Sequence, residues 1–219
     1  LLIGTVVASL GFAHLLTDFT YLRLIQVLRG VAIVTVLLNF VALWKQEARQ
    51  PHLTRHDRVR PRFREVWRQF DEQPKARRLL VAVALGTVGF TMQDILLEPY
   101  GAQILDMSVS ETTQLTAILG IGMLLAFFVA ARLLARGADP IRISAVGAMI
   151  GVFAFSAVVF AAPLASETLF RIGTFAIGVG NGLFAVGTLT AIMTLDRTDQ
   201  LTGLTLGVWG AVQVTATGI

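Results

Sequence analysis

The chain has 219 residues, of which 55% are hydrophobic and 15% are charged, and its mean hydropathy is +0.71. Soluble domains usually carry about 25% charged residues, so this composition excludes an ordinary soluble protein and indicates a membrane protein. The net charge of +4 does not indicate nucleic-acid binding, because 11 of the 18 lysines and arginines lie in residues 45–78, between apolar stretches. The lack of cysteine excludes disulfides and thiolate metal sites, and three scattered histidines form no metal-binding motif.

Two apolar segments come first. Residues 1–16 are interpreted as the remnant of one span, and we expect further residues upstream because LLIGTVVASLGF has neither a methionine nor a basic segment before it. Residues 24–44 are long enough to cross the hydrocarbon. The two segments are predicted to form a hairpin, and residues 1–44 to be the last two helices of an N-terminal bundle.

A basic link, residues 45–78, follows. Within it, residues 61–73 are predicted to form an amphipathic helix on the membrane surface, since apolar and charged side chains segregate at helical spacing. The apolar face comprises Phe63, Val66, Trp67 and Phe70. We interpret this helix as a connector whose basic face meets anionic head groups, with docking of a partner as the alternative.

The third span is predicted over residues 79–98 and the fourth over residues 114–134. Pro99, Tyr100 and Gly101 are expected to end the third span. Ser108 followed by Glu111 fits a capping box at the start of the fourth.

Three further spans are predicted within a C-terminal bundle, residues 79–219. Asp139 and Pro140 fit an N-cap and a first-turn proline before a span at 141–162. Spans at 168–195 and 201–219 follow, and the last has no polar flank after it. Successive links between spans lie on alternate sides of the membrane, and with this alternation the basic links all fall on the same side. We expect that side, which includes residues 45–78, to be cytoplasmic.

Two groups of helices joined by a long charged link are typical of the major facilitator fold. We therefore predict an all-α membrane protein with a major-facilitator-type helical bundle, of which this chain covers about spans 5 to 11 of 12. The link RLLARGADPIRIS, residues 132–144, is where such proteins carry a gating signature, and its spacing here is degenerate. That departure weakens the case for ordinary alternating-access transport.

Asp94 and Glu98 are candidate functional acids, because an ionised carboxylate within hydrocarbon is costly unless it has a partner. Their four-residue spacing places them on one face of the third span, and Gln93 adds an amide beside them. Both acids are expected to point into the bundle. The alternative is that they lie at the head-group level without a function.

The sixth span adds further candidates. Arg171 lies where it could pair with Asp94 or Glu98, although an arginine at a helix end also extends towards the head groups without a partner. Asn181 offers a buried amide for helix packing or for a ligand. Small residues permit close helix packing, and the candidates are Gly178, Gly182, Gly203 and Gly207.

Motifs of hydrolases, kinases and metalloenzymes do not occur in this sequence, so an enzyme is not expected. No metal site is predicted either.

Three stretches resemble one protein family. They are LIQVLRGVAIVTVLLNFVALWKQEAR at 24–49, GFTMQDILLEPYGAQILDMSV at 89–109 and GVGNGLFAVGTLTAIMTL at 178–195. They are similar to the PucC/LhaA family, the bacteriochlorophyll delivery branch of the major facilitators.

The resemblance implies a photosynthetic light-harvesting complex assembly factor in the cytoplasmic or intracytoplasmic membrane of a bacterium. It implies antenna α and β polypeptides as partners, with the reaction centre as a further one. It also implies bacteriochlorophyll or a precursor as a ligand, with no covalent cofactor. The alternatives are a proton-coupled small-molecule transporter, in which Asp94 or Glu98 titrates, and a scaffold without an internal ligand.

A chlorin needs an apolar, flat, glycine-walled groove with one or two polar groups, and its magnesium accepts oxygen ligands. On this interpretation Gln93, Asp94, Glu98 and Asn181 are candidate pigment or gating contacts. His14, near the end of the first span, is interpreted as structural.

Overall fold

The computed structural model describes residues 2–17, 20–43, 74–195 and 202–218. These residues form seven α-helices and no strand: α1 Leu2–Leu15, α2 Tyr21–Leu43, α3 Pro74–Ile104, α4 Val109–Ala135, α5 Pro140–Ala161, α6 Glu167–Leu195 and α7 Thr202–Thr217. The all-α class predicted from the sequence is confirmed. The predicted surface helix at 61–73 and most of the basic link lie outside the described residues.

Five of these helices, α2 to α6, are long and apolar enough to cross a membrane. Helix α1 is apolar but has only 14 residues. Helices are favoured in this setting because they satisfy every backbone polar group internally where no water is available. The chain is therefore part of an integral membrane protein.

Helix α6 is the centre of the described bundle. It packs against α4 on one side and α5 on the other, and it also contacts α3 and α7. Gly182 allows the approach to α4, since an added Cβ would lie 2.7 Å from the Cβ of Ala126. Gly180 allows the approach to α5, since an added Cβ would lie 2.8 Å from the carbonyl oxygen of Gly147. Small residues thus bring the backbones together where packing, rather than water exclusion, holds membrane helices.

Buried polar groups on α6 are satisfied within the helix itself. The hydroxyl of Thr174 donates to the carbonyl of Phe170 at 2.9 Å, and that of Thr188 donates to the carbonyl of Phe184 at 2.8 Å. This pattern of bonding to the carbonyl four residues earlier removes the cost of placing a hydroxyl in an apolar core.

The helix starts follow from local capping chemistry. The predicted capping box is present at α4: the amide N–H of Ser108 donates to Oε2 of Glu111 at 2.8 Å, and the amide of Glu111 donates to the Ser108 hydroxyl oxygen at 3.3 Å. At α5, Asp139 accepts a bond from the amide of Ile141 at 2.9 Å, and Pro140 occupies the first turn.

The predicted end of the third span is wrong. Helix α3 begins at Pro74 and continues through Pro99 to Ile104, rather than stopping at residue 98. A proline within a helix removes one amide donor and leaves the carbonyl four residues earlier without its usual partner. Membrane helices tolerate this loss because neighbouring groups and small backbone adjustments compensate.

Helix α1 packs against α4 rather than standing apart from the later helices. The Ser110 hydroxyl donates to the carbonyl of Ala13 at 2.8 Å, and a Cβ on Gly120 would lie 2.7 Å from a methyl group of Val6. Helix α2 has no buried residue and borders, with α1, a groove of about 640 Å³.

Candidate functional site

An apolar groove of about 590 Å³ separates α3 from α5. Its size falls within the roughly 300–1,000 Å³ usual for small-molecule sites. Of the described residues that line it, only Gln93 and Tyr100 carry polar side-chain atoms. Such a groove suits a large apolar ligand that needs very few polar contacts.

Glycines and aromatic rings shape the groove. Phe90 on α3 has its ring centroid 6.2 Å from that of Phe155 on α5 and 5.6 Å from that of Phe184 on α6. A Cβ on Gly151 would lie 2.7 Å from the Phe90 ring, so only glycine lets this ring lie against α5. Gly86 on α3 has the same relation to the Phe184 ring. The result is a groove bordered by flat rings and bare backbone.

Gln93 supplies the buried polar group. Its side chain is 4% exposed, and its Nε2 donates a hydrogen bond to Oδ1 of Asp94 at 3.1 Å. Its Oε1 is buried and accepts no hydrogen bond from the residues that the structure describes. A buried acceptor left without a partner costs about 1–3 kcal/mol, and since almost none of the surface of this oxygen is accessible, Gln93 would have to turn its side chain for the oxygen to contact a ligand in the groove.

Tyr100 closes one end of the groove. Its hydroxyl donates to the carbonyl oxygen of Val159 on α5 at 3.3 Å, and its ring stacks on Phe170 of α6 with centroids 5.6 Å apart. The sequence pattern predicts for Tyr100 only a place in a helix stop. The signal was present in the sequence, since an amphipathic tyrosine in an apolar span needs a partner for its hydroxyl.

One side of the groove is formed by exposed apolar side chains. Met92 and Leu96 on α3 are 57% and 58% exposed, and Val152 and Val159 on α5 are 66% and 63% exposed. On a helix that crosses a bilayer, exposed apolar side chains of this kind suit contact with lipid tails. The described helices therefore leave the groove open on this side.

The two candidate acids are not enclosed by the described helices, contrary to expectation. Asp94 and Glu98 are both exposed, because the stripe of α3 that packs inward runs through Phe90, Gln93 and Leu97 and the acids lie beside it. Asp94 contacts Gln93, whereas Glu98 accepts a hydrogen bond from the hydroxyl of Thr116 on α4 at 3.0 Å.

Arg171 does not pair with Asp94 or Glu98, as the sequence had suggested it could. It forms an ion pair with Glu167, one turn earlier on α6, and lies 3.5 Å from Oε1 of Glu111 on α4. Because its donors are directed to these two carboxylates at the start of α4 and α6, it joins two helix ends rather than serving the groove.

The remaining candidates lie apart from the groove. Asn181 is half-buried on α6 and is not among the lining residues. Gly178 faces the carbonyl of Leu119 on α4, so it lies in the same close contact as Gly182. Around Gly207 the packing predicted from the sequence is absent, since no heavy atom of the described residues lies within 4 Å of an added Cβ.

Gly203 lies in α7, and its surroundings fall outside the described part of the chain. His14 is exposed in the last turn of α1 and borders neither groove. Within the described ranges, no group of three histidine, aspartate or glutamate residues is placed to hold a metal ion.

Comparison with known proteins decides the family. The model of the family described as PUCC protein matches residues 1–219, the whole chain. The chain belongs to this family.

Relatives of this family member come from purple bacteria. Protein PucC of Rhodovulum sulfidophilum is 47% identical over the whole chain, and Protein PucC of Cereibacter sphaeroides is 44% identical. A more distant relative, named bacteriochlorophyll synthase 44.5 kDa chain, from Rhodobacter capsulatus, is 27% identical. The chain covers 48% of each of the two PucC proteins and 51% of the third, so it spans about half their length. No solved structure matches it.

Proposed function

We propose that this chain is part of a light-harvesting complex assembly factor that binds bacteriochlorophyll, or a precursor, in the groove between α3 and α5. The pigment is then passed to antenna α and β polypeptides, with the reaction centre as a further partner. Membership of the PUCC family supports this proposal, and one relative is named for bacteriochlorophyll synthesis. The protein acts in the photosynthetic inner membrane, with residues 45–78 on the cytoplasmic side.

The observation that carries the proposal is the chemistry of the groove. A flat macrocycle with a hydrocarbon tail matches walls made of Phe90, Phe155 and bare glycine backbone. Magnesium is a hard cation that prefers oxygen ligands, and Gln93, whose buried Oε1 accepts no hydrogen bond from the described residues, would supply such an oxygen after a change of its side-chain conformation. The residues present therefore fit the pigment, which supplies the light absorption that antenna polypeptides need.

The sideways opening favours delivery within the bilayer over transport across it. A pigment soluble in lipid reaches the groove past Met92 and Val152 without entering water. Antenna polypeptides would receive it by the same route. We infer that the larger protein keeps the major-facilitator-type bundle, with a delivery role in place of a proton-coupled transport cycle.

The test is isolation of the whole protein from its native photosynthetic membrane. An absorption spectrum and mass spectrometry of the copurifying chains are measured on the same sample. We expect bound pigment together with antenna α and β polypeptides. A preparation that is monodisperse and contains neither would overturn the proposal.

A further inference from the structure

The groove between α1 and α2 is apolar along its length and polar at one end. The lining residues without a polar side-chain atom are Ala8, Phe12 and Leu15 on α1 and Val27, Gly30, Val31 and Val34 on α2. Arg23 and Gln26 line the end where α2 begins, and Thr35 lines the other end. A molecule that fits this groove has a long apolar part and a polar group at one end.

The length of the groove matches one leaflet of a bilayer. Arg23 and Thr35 both line it, and their separation along α2 corresponds to about 18 Å at the helical rise of about 1.5 Å per residue. Half the thickness of a hydrocarbon core is about 15 Å. Because α2 begins at Tyr21, Arg23 lies at the edge of the span, where lipid head groups are. The apolar part of the groove then extends to about the middle of the membrane.

The width of the groove excludes a further transmembrane helix. Its volume of about 640 Å³, spread over a length of about 18 Å, gives a mean cross-section of about 35 Å². A helix with its side chains is about 10–12 Å across and needs about 80–110 Å². Helix α2 has no buried residue and is not packed closely against α1, and the described helices leave the space between them open. A hydrocarbon chain is slim enough to enter this space.

Arg23 determines which head group suits the groove. It is half-buried on the face of α2 that also carries Val27 and Val31, and none of the described lining residues is acidic. A guanidinium group is positively charged and binds phosphate through two parallel hydrogen bonds. It has five N–H donors, so Arg23 can hold a phosphate alongside a contact within the protein. The charge at this end of the groove therefore favours an anionic head group.

We propose that the groove between α1 and α2 binds a membrane phospholipid with an anionic head group. Its phosphate lies on Arg23, and one acyl chain runs along Val27, Val31 and Val34. The lipid fills the space between the two helices and so joins α2 to the bundle. This site is separate from the groove between α3 and α5, and it does not depend on pigment binding.

The experiment uses the full-length protein in phosphatidylcholine vesicles that contain a small amount of photoactivatable phosphatidylglycerol, with a diazirine group in the middle of one acyl chain. After illumination, mass spectrometry locates the labelled residues. Labels should concentrate on residues 8–15 and 27–34, relative to Phe153 and Phe160, which are exposed on α5 and line neither groove. Phosphatidylcholine with the same photoactivatable chain should label the groove about fivefold less, the effect expected for one basic residue at a membrane surface.

Arg23→Gln should lower the labelling by phosphatidylglycerol to the level seen with phosphatidylcholine. Arg29→Gln is the matched control, because Arg29 lies on the same helix and carries the same charge but does not line the groove. It should leave the labelling unchanged. Gly30→Leu should abolish labelling by both lipids, since no heavy atom of the described residues lies within 4 Å of an added Cβ and leucine would fill the groove. This variant tests the proposal even if Arg23→Gln does not fold.

Equal labelling of the groove by the two lipids would overturn the proposal. The same holds for a preference that survives in Arg23→Gln or disappears in Arg29→Gln, and for labelling that is unchanged in Gly30→Leu. Lining residues that stay unlabelled in the wild type would also overturn it, because another part of the longer protein would then cover the groove. These results leave the proposed function standing, since pigment binding is measured on a separate sample.

Discussion

The hydroxyl of Tyr100 and the carbonyl oxygen of Val159 lie 3.3 Å apart and join α3 to α5 across one end of the groove. Val159 has no helical partner for its carbonyl, because the residue four positions later is Pro163, which lacks an amide proton. Tyr100 supplies the missing donor. Its ring remains stacked on Phe170, so one side chain ties α3 to both α5 and α6.

Tyr100→Phe should destabilise the protein by about 1 kcal/mol, because the Val159 carbonyl loses its donor while the aromatic stacking stays. The midpoint of thermal unfolding in detergent is the measurement. Tyr100→Leu removes the stacking as well and should lower the midpoint further. Equal midpoints for Tyr100→Phe and the wild type would show that the hydrogen bond contributes nothing.

Gly180→Ala should destabilise the protein by about 1–3 kcal/mol, the usual cost of overpacking. The new Cβ would lie 2.8 Å from the Gly147 carbonyl oxygen and 2.9 Å from the Gly151 amide nitrogen, and backbone atoms of α5 cannot move as a flexible side chain can. Gly207→Ala is the control, since the described residues leave open space there; alanine at this helical position should be neutral or stabilising by up to about 1 kcal/mol. Similar thermal midpoints for the two variants would contradict the packing described.

Glu111→Ala should destabilise the protein more than Glu111→Gln does. Glutamine still completes a capping box with Ser108 but cannot form the ion pair with Arg171. Losing the cap costs about 1 kcal/mol. The ion pair adds less, because the two side chains are 37% and 32% exposed and solvent weakens their attraction. Chemical denaturation of both variants measures the difference, and a larger loss for Glu111→Gln would reverse this assignment.

Much of the fold follows from local sequence signals. Apolar length predicts the spans, and the Ser108–Glu111 and Asp139–Pro140 pairs predict where α4 and α5 begin. The prediction that Pro99 ends α3 is wrong, because Pro99 lies within the helix. Whether a proline ends a helix or lies within it depends on neighbouring groups in the folded protein, which cannot be inferred from the sequence.

The candidate site was predictable only in part. The spacing of Gln93, Asp94 and Glu98 indicated a polar patch on one span, but which of the three is buried depends on how α3 faces α5 and α6. The partners of Arg171 could not be inferred, because Glu111 lies 60 residues earlier and is brought close only by the packing of α4 on α6. Pairing between distant segments is a property of the folded bundle.

The most direct test of pigment binding in this groove is the amount of bacteriochlorophyll that copurifies with Gly89→Leu. Gly89 lines the groove and has open space around it, so leucine should fill the groove without disturbing the helices. Gly30→Leu is the matched control, because Gly30 has equally open surroundings and lines the separate groove between α1 and α2. We predict that Gly89→Leu protein with an unchanged thermal midpoint loses most of its pigment, while Gly30→Leu retains it. Full pigment content in Gly89→Leu would contradict the assignment of the groove as the binding site.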